Sequence, residues 1–279
     1  MLTHELTLSL FGIGFKFFFE DKKTKNRLEK YFSPFLKNIP PQHVFWVEKE
    51  KIRIDQAGGN EIFSEPFPLI DTLITNINAL LFKEVKEFLI IHAGAVKKEG
   101  RLLFLPGFSG SGKSTTTALF VLHGWEFLGD DLIFINLKDK KIYPYPIPLR
   151  LKDPPQKLKT LAESASDLKA EKFIWEGQDF LYLLPERGLK TSFDLEELGA
   201  LLFPLFSPGK SFSLRQLNAT DIFKRLFAHS INFPSCPREA FDLAFALSKK
   251  AVGHEITFDH FDHLENAVRE GVLWTTPHP

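Results

Sequence analysis

Apolar and polar positions alternate near the start of the chain. Leu6, Leu8 and Leu10 are separated by Thr7 and Ser9, and this period of two predicts a strand over 5–19. The spacing then changes. Leu28, Tyr31, Phe32, Phe35 and Leu36 fall on one face of a helix over 24–37, which Pro40-Pro41 ends. Strands are expected at 43–48 and 51–55, joined by a Glu48-Lys49-Glu50 turn. A second helix over 68–83 starts at Pro68 and carries Leu69, Leu73, Ile74, Ile77, Leu80 and Leu81 at helical spacing. This stretch reads as a small α/β unit covering 1–86, followed by a larger domain over 87–279.

The second part opens with two apolar runs, 88–96 and 101–105, separated by a Lys-Lys-Glu-Gly turn; both read as buried strands. A Gly-rich loop leads into a helix over 113–123, which Gly124 is placed to end. Trp125 to Leu128 then runs into Asp130-Asp131, and strands near 132–136 and 141–144 flank a Lys-Asp-Lys-Lys turn. Further on, helices near 155–168, 220–230, 238–249 and 259–270 alternate with short strands near 172–175, 180–184 and 201–206.

Composition narrows the classes. The chain has 279 residues, 44% of them hydrophobic, which suffices for large buried cores. Its 35 basic and 35 acidic side chains cancel, so neither nucleic acid nor an anionic membrane is an expected partner. Cys236 is alone, which excludes an intrachain disulfide and a Cys-rich zinc site. No apolar run reaches the roughly 18 residues that would span a bilayer. The start of the chain lacks the basic residues and cleavage site of a secretory leader, so a cytoplasmic location is expected. The 30 Phe against four Tyr point to an aromatic-rich core.

Residues 107–115, Gly-Phe-Ser-Gly-Ser-Gly-Lys-Ser-Thr, fit the phosphate loop G-x-x-x-x-G-K-[ST]. The chemistry accounts for the residue types. Glycines let successive N–H groups turn inward toward phosphate oxygens, and the following helix presents its positive end. Gly107, Phe108, Ser109, Gly110, Ser111, Gly112, Lys113, Ser114 and Thr115 are thus the candidate ATP-binding residues. Lys113 is suited to the β/γ oxygens and Ser114 to Mg²⁺. Asp130-Asp131 ends the next strand, where carboxylates can hold a metal ion or accept a proton. His92 lies within the apolar run before the loop. By itself a histidine there is an ordinary core residue.

Taken together, His92-Ala93-Gly94, Leu103-Phe104-Leu105-Pro106, the phosphate loop, Gly124-Trp125 and the acidic pair resemble the HPr kinase/phosphorylase superfamily. Within it, the resemblance is to the HPr-kinase-related kinase A proteins. The segments Pro146 to Asp153 and Leu226 to Asn232 resemble that branch as well. His92 precedes Lys113 by 113 − 92 = 21 positions and Asp131 follows it by 131 − 113 = 18, the family's own spacings. The resemblance implies a P-loop kinase domain of the HPr kinase/PEP carboxykinase-like type behind a small α/β N-terminal domain. It implies Asp131 as proton acceptor from a serine hydroxyl, with Lys113 and His92 assisting at the phosphates. Mg²⁺ would be held by Ser114, with Asp130 in support. Glu186-Arg187-Gly188 lies further from the loop than the family's metal-binding segment, so no role is carried to it. Arg150 and Lys152, two apart, share a face if their segment is a strand, where they can meet phosphate, substrate or solvent.

The expected function is an ATP-dependent kinase that phosphorylates a hydroxyl, a serine of a protein or peptide. Free serine as a small-molecule acceptor is one alternative. A non-catalytic ATP-binding scaffold for peptide maturation is another. The family admits homo-oligomers. A GTPase switch is disfavoured, because Asn136-Leu137-Lys138-Asp139 has the wrong order for guanine recognition.

Overall fold

The structure is a computed structural model that describes residues 2–48, 51–56, 59–64, 69–166, 168–185 and 192–270. Among the described residues it is a mixed α/β protein with seven α-helices and four β-sheets. Residues Met1–Val85 form one compact unit and Lys86–Pro279 a second.

The first unit is built on a five-stranded sheet in sequential order. Strands β1 (His4–Leu10) and β2 (Ile13–Phe19) form a hairpin, not the single strand expected over 5–19. The break is a tight turn in which Phe11 (φ 52°) and Gly12 (φ 87°) both take the left-handed conformation that two-residue hairpins require. Alternation survives the turn, which hides it from pattern reading. Helix α1 (Lys22–Tyr31) is capped by Asp21, whose carboxylate accepts from the N–H groups of Lys23 and Thr24. It stops before the expected residue 37 because Ser33–Phe35, with Pro34, tightens into a 3₁₀ turn. Strand β3 (His43–Val47) pairs parallel with β2, and β4 (Lys51–Gln56) and β5 (Gly59–Ser64) add antiparallel. Across β2 and β3, Phe17 and Phe45 stack with ring centroids 4.8 Å apart, part of an aromatic seam. Helix α2 (Leu69–Glu84) closes the unit with a buried face of Leu73, Ile74, Ile77 and Leu81. Pro68, its expected first residue, and the tip of the 48–50 turn lie outside the described residues.

In the second unit the apolar run 88–96 is two strands. β6 (Phe88–Ile91) and β7 (Ala93–Lys98) belong to different sheets, and His92 is the joint between them. β7 pairs antiparallel with β8 (Arg101–Pro106), which leads through the loop into α3 (Lys113–Leu122). Gly124, at φ 82°, follows the helix end as expected. Next come β9 (Glu126–Gly129), β10 (Ile133–Asn136), β11 (Lys141–Tyr143) and β12 (Leu149–Lys152). Helix α4 (Gln156–Ser164) is followed by β13 (Leu168–Trp175), β14 (Gln178–Pro185) and β15 (Phe193–Asp194). The chain continues with β16 (Leu198–Phe206), β17 (Ser213–Leu217), α5 (Ala219–Ala228) and α6 (Pro237–Lys250). Strand β18 (Val252–Phe258) and helix α7 (Phe261–Arg269) complete it.

The central sheet has the order β17-β18-β16-β8-β7-β9. Strands β18, β16 and β8 are mutually parallel, and β9 runs the same way because both it and β8 oppose β7. Alternating residues of β8 serve both faces. Leu103 and Leu105 pack with Leu119 and Phe120 of α3 and Leu264 of α7. Leu102 and Phe104 pack with a second sheet, β15-β11-β10-β6, and with Leu243 and Leu247 of α6. A third sheet, β12-β14-β13, joins α4 in a smaller core. This layering aims the C-terminal ends of β9, β8, β16 and β18 at one rim.

Residues after α5 hold the joint in place. Asn232 Oδ1 accepts from the Ile90 N–H at 2.9 Å and its Nδ2 donates to the Phe88 carbonyl at 2.8 Å, all buried. Asn232→Ala should therefore lower the stability of the second unit by about 2–4 kcal/mol, because both main-chain groups lose their partner. Urea unfolding followed by circular dichroism measures it.

Candidate active site

The loop geometry follows from where side chains are missing. A Cβ on Gly107 would lie 2.4 Å from Ser111 Oγ. Gly112 sits at φ 87°, and a Cβ there would also meet the Phe258 ring at 2.6 Å. Gly112 caps α3 without a side-chain hydrogen bond, so the first N–H groups of the helix are left for a ligand. Ser111 Oγ is buried and has no partner. An orphan hydroxyl and an uncapped helix start both suit phosphate oxygens.

Four of the predicted residues meet around the Lys113 ammonium. Lys113 is 4% exposed and Asp130 only 2%. Lys113 Nζ lies 3.1 Å from Asp130 Oδ1, 2.6 Å from Asp131 Oδ1 and 3.5 Å from Ser114 Oγ. His92 Nε2 stands 3.6 Å from the same Asp131 oxygen. Arg150 of β12 takes the other, with Nη2 donating to Asp131 Oδ2 at 3.0 Å. Its neighbour Lys152, on the same strand, is exposed.

The electrostatics follow from these distances. Burial opposes a charge on Asp131, but the Lys113 charge, the nearby His92 imidazole and the Arg150 charge together hold its carboxyl well below the usual range. Burial likewise opposes the Lys113 charge, and the carboxylates of Asp130 and Asp131 outweigh it and raise the ammonium. Asp131 itself has φ 72°, a left-handed conformation that aspartate tolerates better than most residues. This turn at the end of β9 points its carboxylate back over the loop.

The backbone fixes His92 as firmly as its ring. Its N–H donates to the His229 carbonyl at 2.8 Å, and its carbonyl accepts from the Gly107 N–H at 3.4 Å. His229 was not singled out as a site residue by pattern reading, although it falls in a segment that carries the resemblance. It is buried under Phe108, with ring centroids 4.2 Å apart, and its Nδ1 has no partner. Burial, helped by His92, Arg225 and Lys113, pushes its imidazole down to about 4. A ring held neutral beside the loop can donate or accept without adding charge.

No known family model and no curated protein matches this chain.

The residues fit the group they were expected to hold. Ser114 Oγ and Asp130 Oδ1 are oxygen ligands of the kind Mg²⁺ takes, and they lie 3.5 and 3.1 Å from one buried cation, which in this structure is the Lys113 ammonium. No cluster of three or more His, Cys, Asp or Glu suited to a metal ion exists among the described residues. A Mg²⁺ here would therefore depend on phosphate oxygens and water as well as protein. Phe108, Ser109, Gly110 and Thr115 complete the loop and the start of α3. Glu186-Arg187-Gly188 lies outside the described residues. Cys236 is buried, and burial followed by Glu239 raises its thiol, as befits a core residue.

The charge cluster carries a pH signature. The Asp131 pairings contribute stability that is complete above its ordinary pKa of about 4 and fades as pH falls through its lower folded value. Lys113→Met removes the main counter-charge and leaves two adjacent carboxylates, so the variant should be less stable than the parent near neutral pH, and the difference should shrink as acid protonates Asp131. Urea unfolding of the parent and variant across pH, followed by fluorescence, checks the direction.

Proposed function

We propose that the chain is an ATP-dependent phosphotransferase of the HPr-kinase-like type, which moves the γ-phosphoryl group of ATP to the hydroxyl of a serine in a protein or peptide. The supporting observation is the convergence of Lys113, Asp131, His92 and Arg150 at the mouth of a phosphate loop, from four separate segments. A solvated acidic turn would have no reason to bury an ammonium between two carboxylates.

The chemistry assigns each group one task. The loop N–H groups hold the phosphates, and Lys113 moves from the carboxylates toward the β/γ oxygens, where it offsets charge as the phosphoryl group transfers. Asp131 accepts the proton of the acceptor hydroxyl. The new bond joins the acceptor oxygen to phosphorus, and the bond to the β-phosphate bridging oxygen breaks to release ADP. His92 and Arg150 keep Asp131 oriented once Lys113 has moved. Mg²⁺, held by Ser114 and Asp130, would supply further neutralisation of the phosphates when bound.

The test is transfer from γ-labelled ATP with Mg²⁺ to an HPr-like protein, serine peptides and free serine. Asp131→Asn should keep nucleotide affinity within a few-fold and lose about 10²–10⁴-fold in transfer. Equal rates in variant and parent would remove Asp131 from the proton-acceptor role. Lys113→Ala should weaken ATP binding in calorimetry, and unchanged affinity would refute the loop assignment. ATP binding without transfer to any acceptor would favour a binding scaffold.

A further inference from the structure

The rim of the central sheet has two unlike sides. On the β9 side of the loop lie Asp130, Asp131 and, at the start of β7, His92. On the other side, β16 and β18 end in Phe206 and Phe258. The sheet order places β8 and its loop between them, so a ligand on the loop has charge chemistry at one end and aromatic surface at the other.

The aromatic side is joined to the loop itself. The Phe206 N–H donates to the Ser111 carbonyl at 2.8 Å, and the Ser207 N–H donates to the Phe258 carbonyl at 2.8 Å. The Phe258 ring lies so close to Gly112 that a Cβ there would clash with it at 2.6 Å. Phe258 is 3% exposed, and it braces Phe206, whose centroid is 5.7 Å away and which is 44% exposed. A half-exposed ring, fixed by its own backbone to the phosphate loop and backed by a buried ring, has no evident duty in the core.

We propose that Phe206, supported by Phe258, is the platform on which the nucleobase of the bound nucleotide stacks. This deepens the reading of 107–115 as a triphosphate site and rests on it. The polarity of the nucleotide follows. With the γ-phosphoryl end at Lys113 and Asp131, the nucleoside end leaves the loop past Ser111 toward β16. A flat apolar ring recognises a base by its π face, and such stacking is worth about 5–100-fold in affinity per base.

The experiment compares ATP with inorganic tripolyphosphate, both with Mg²⁺, by calorimetry on the full chain. The parent should bind ATP about 5–100-fold more tightly. Phe206→Ala should abolish most of that preference while leaving tripolyphosphate affinity unchanged. Phe206→Trp should keep the preference and show a fluorescence change with ATP that tripolyphosphate does not produce. Tripolyphosphate binding with no preference for ATP in the parent would overturn the platform and leave the loop intact. So would a full preference surviving in Phe206→Ala. Binding of neither ligand would overturn the loop reading and the platform with it.

Discussion

A single buried ammonium organises this molecule's candidate site. Lys113 is almost fully withdrawn from water, and a charge there is tolerated only because two carboxylates meet it. Those carboxylates come from the turn after β9, which must therefore end beside the start of α3. The order of the central sheet supplies that proximity, since β8 and β9 run in the same direction with only β7 between them. Gly94 in β7 keeps the space open, because a Cβ there would lie 2.1 Å from Thr117 Oγ1 and 3.3 Å from Asp130 Oδ1. Sheet order, glycine placement and ion pairing thus serve one constraint.

Much of this was legible in the residues. The loop, the helix after it, the acidic pair and, through the resemblance, the 21- and 18-residue spacings point to Lys113, His92 and Asp131, which the fold brings together. Two features were not legible. Arg150 stood out only as a basic residue in an extended segment, and its grip on Asp131 depends on β12 crossing near the turn after β9, a long-range outcome. The preference of Lys113 for carboxylates over an open loop is likewise a property of the folded charge balance and leaves no trace in the motif.

The misread elements share a physical cause. Apolar runs conceal breaks when both flanking pieces are buried. Residues 88–96 read as one strand because β6 and β7 are each covered by packed layers, and 5–19 read as one strand because alternation continues through the Phe11-Gly12 turn. Strands β15 and β17 were missed where short segments lean on neighbours already in place, and the seven-residue β18, held between β16 and β17, was missed beside them. In each case tertiary pairing, not local preference, decided the element.

His92 has a wider consequence as the joint between two sheets. Its amide is tied to the segment after α5 and its carbonyl to the first residue of the loop, while its ring faces Asp131. One peptide unit thereby acts as a common datum for both layers. A slip of either β6 or β7 by one residue would invert the side-chain facing of that strand and carry the imidazole to the far side of its layer. The registry of two sheets and the aim of one ring are the same degree of freedom, so the site's geometry is fixed by the alignment of the layers beneath it.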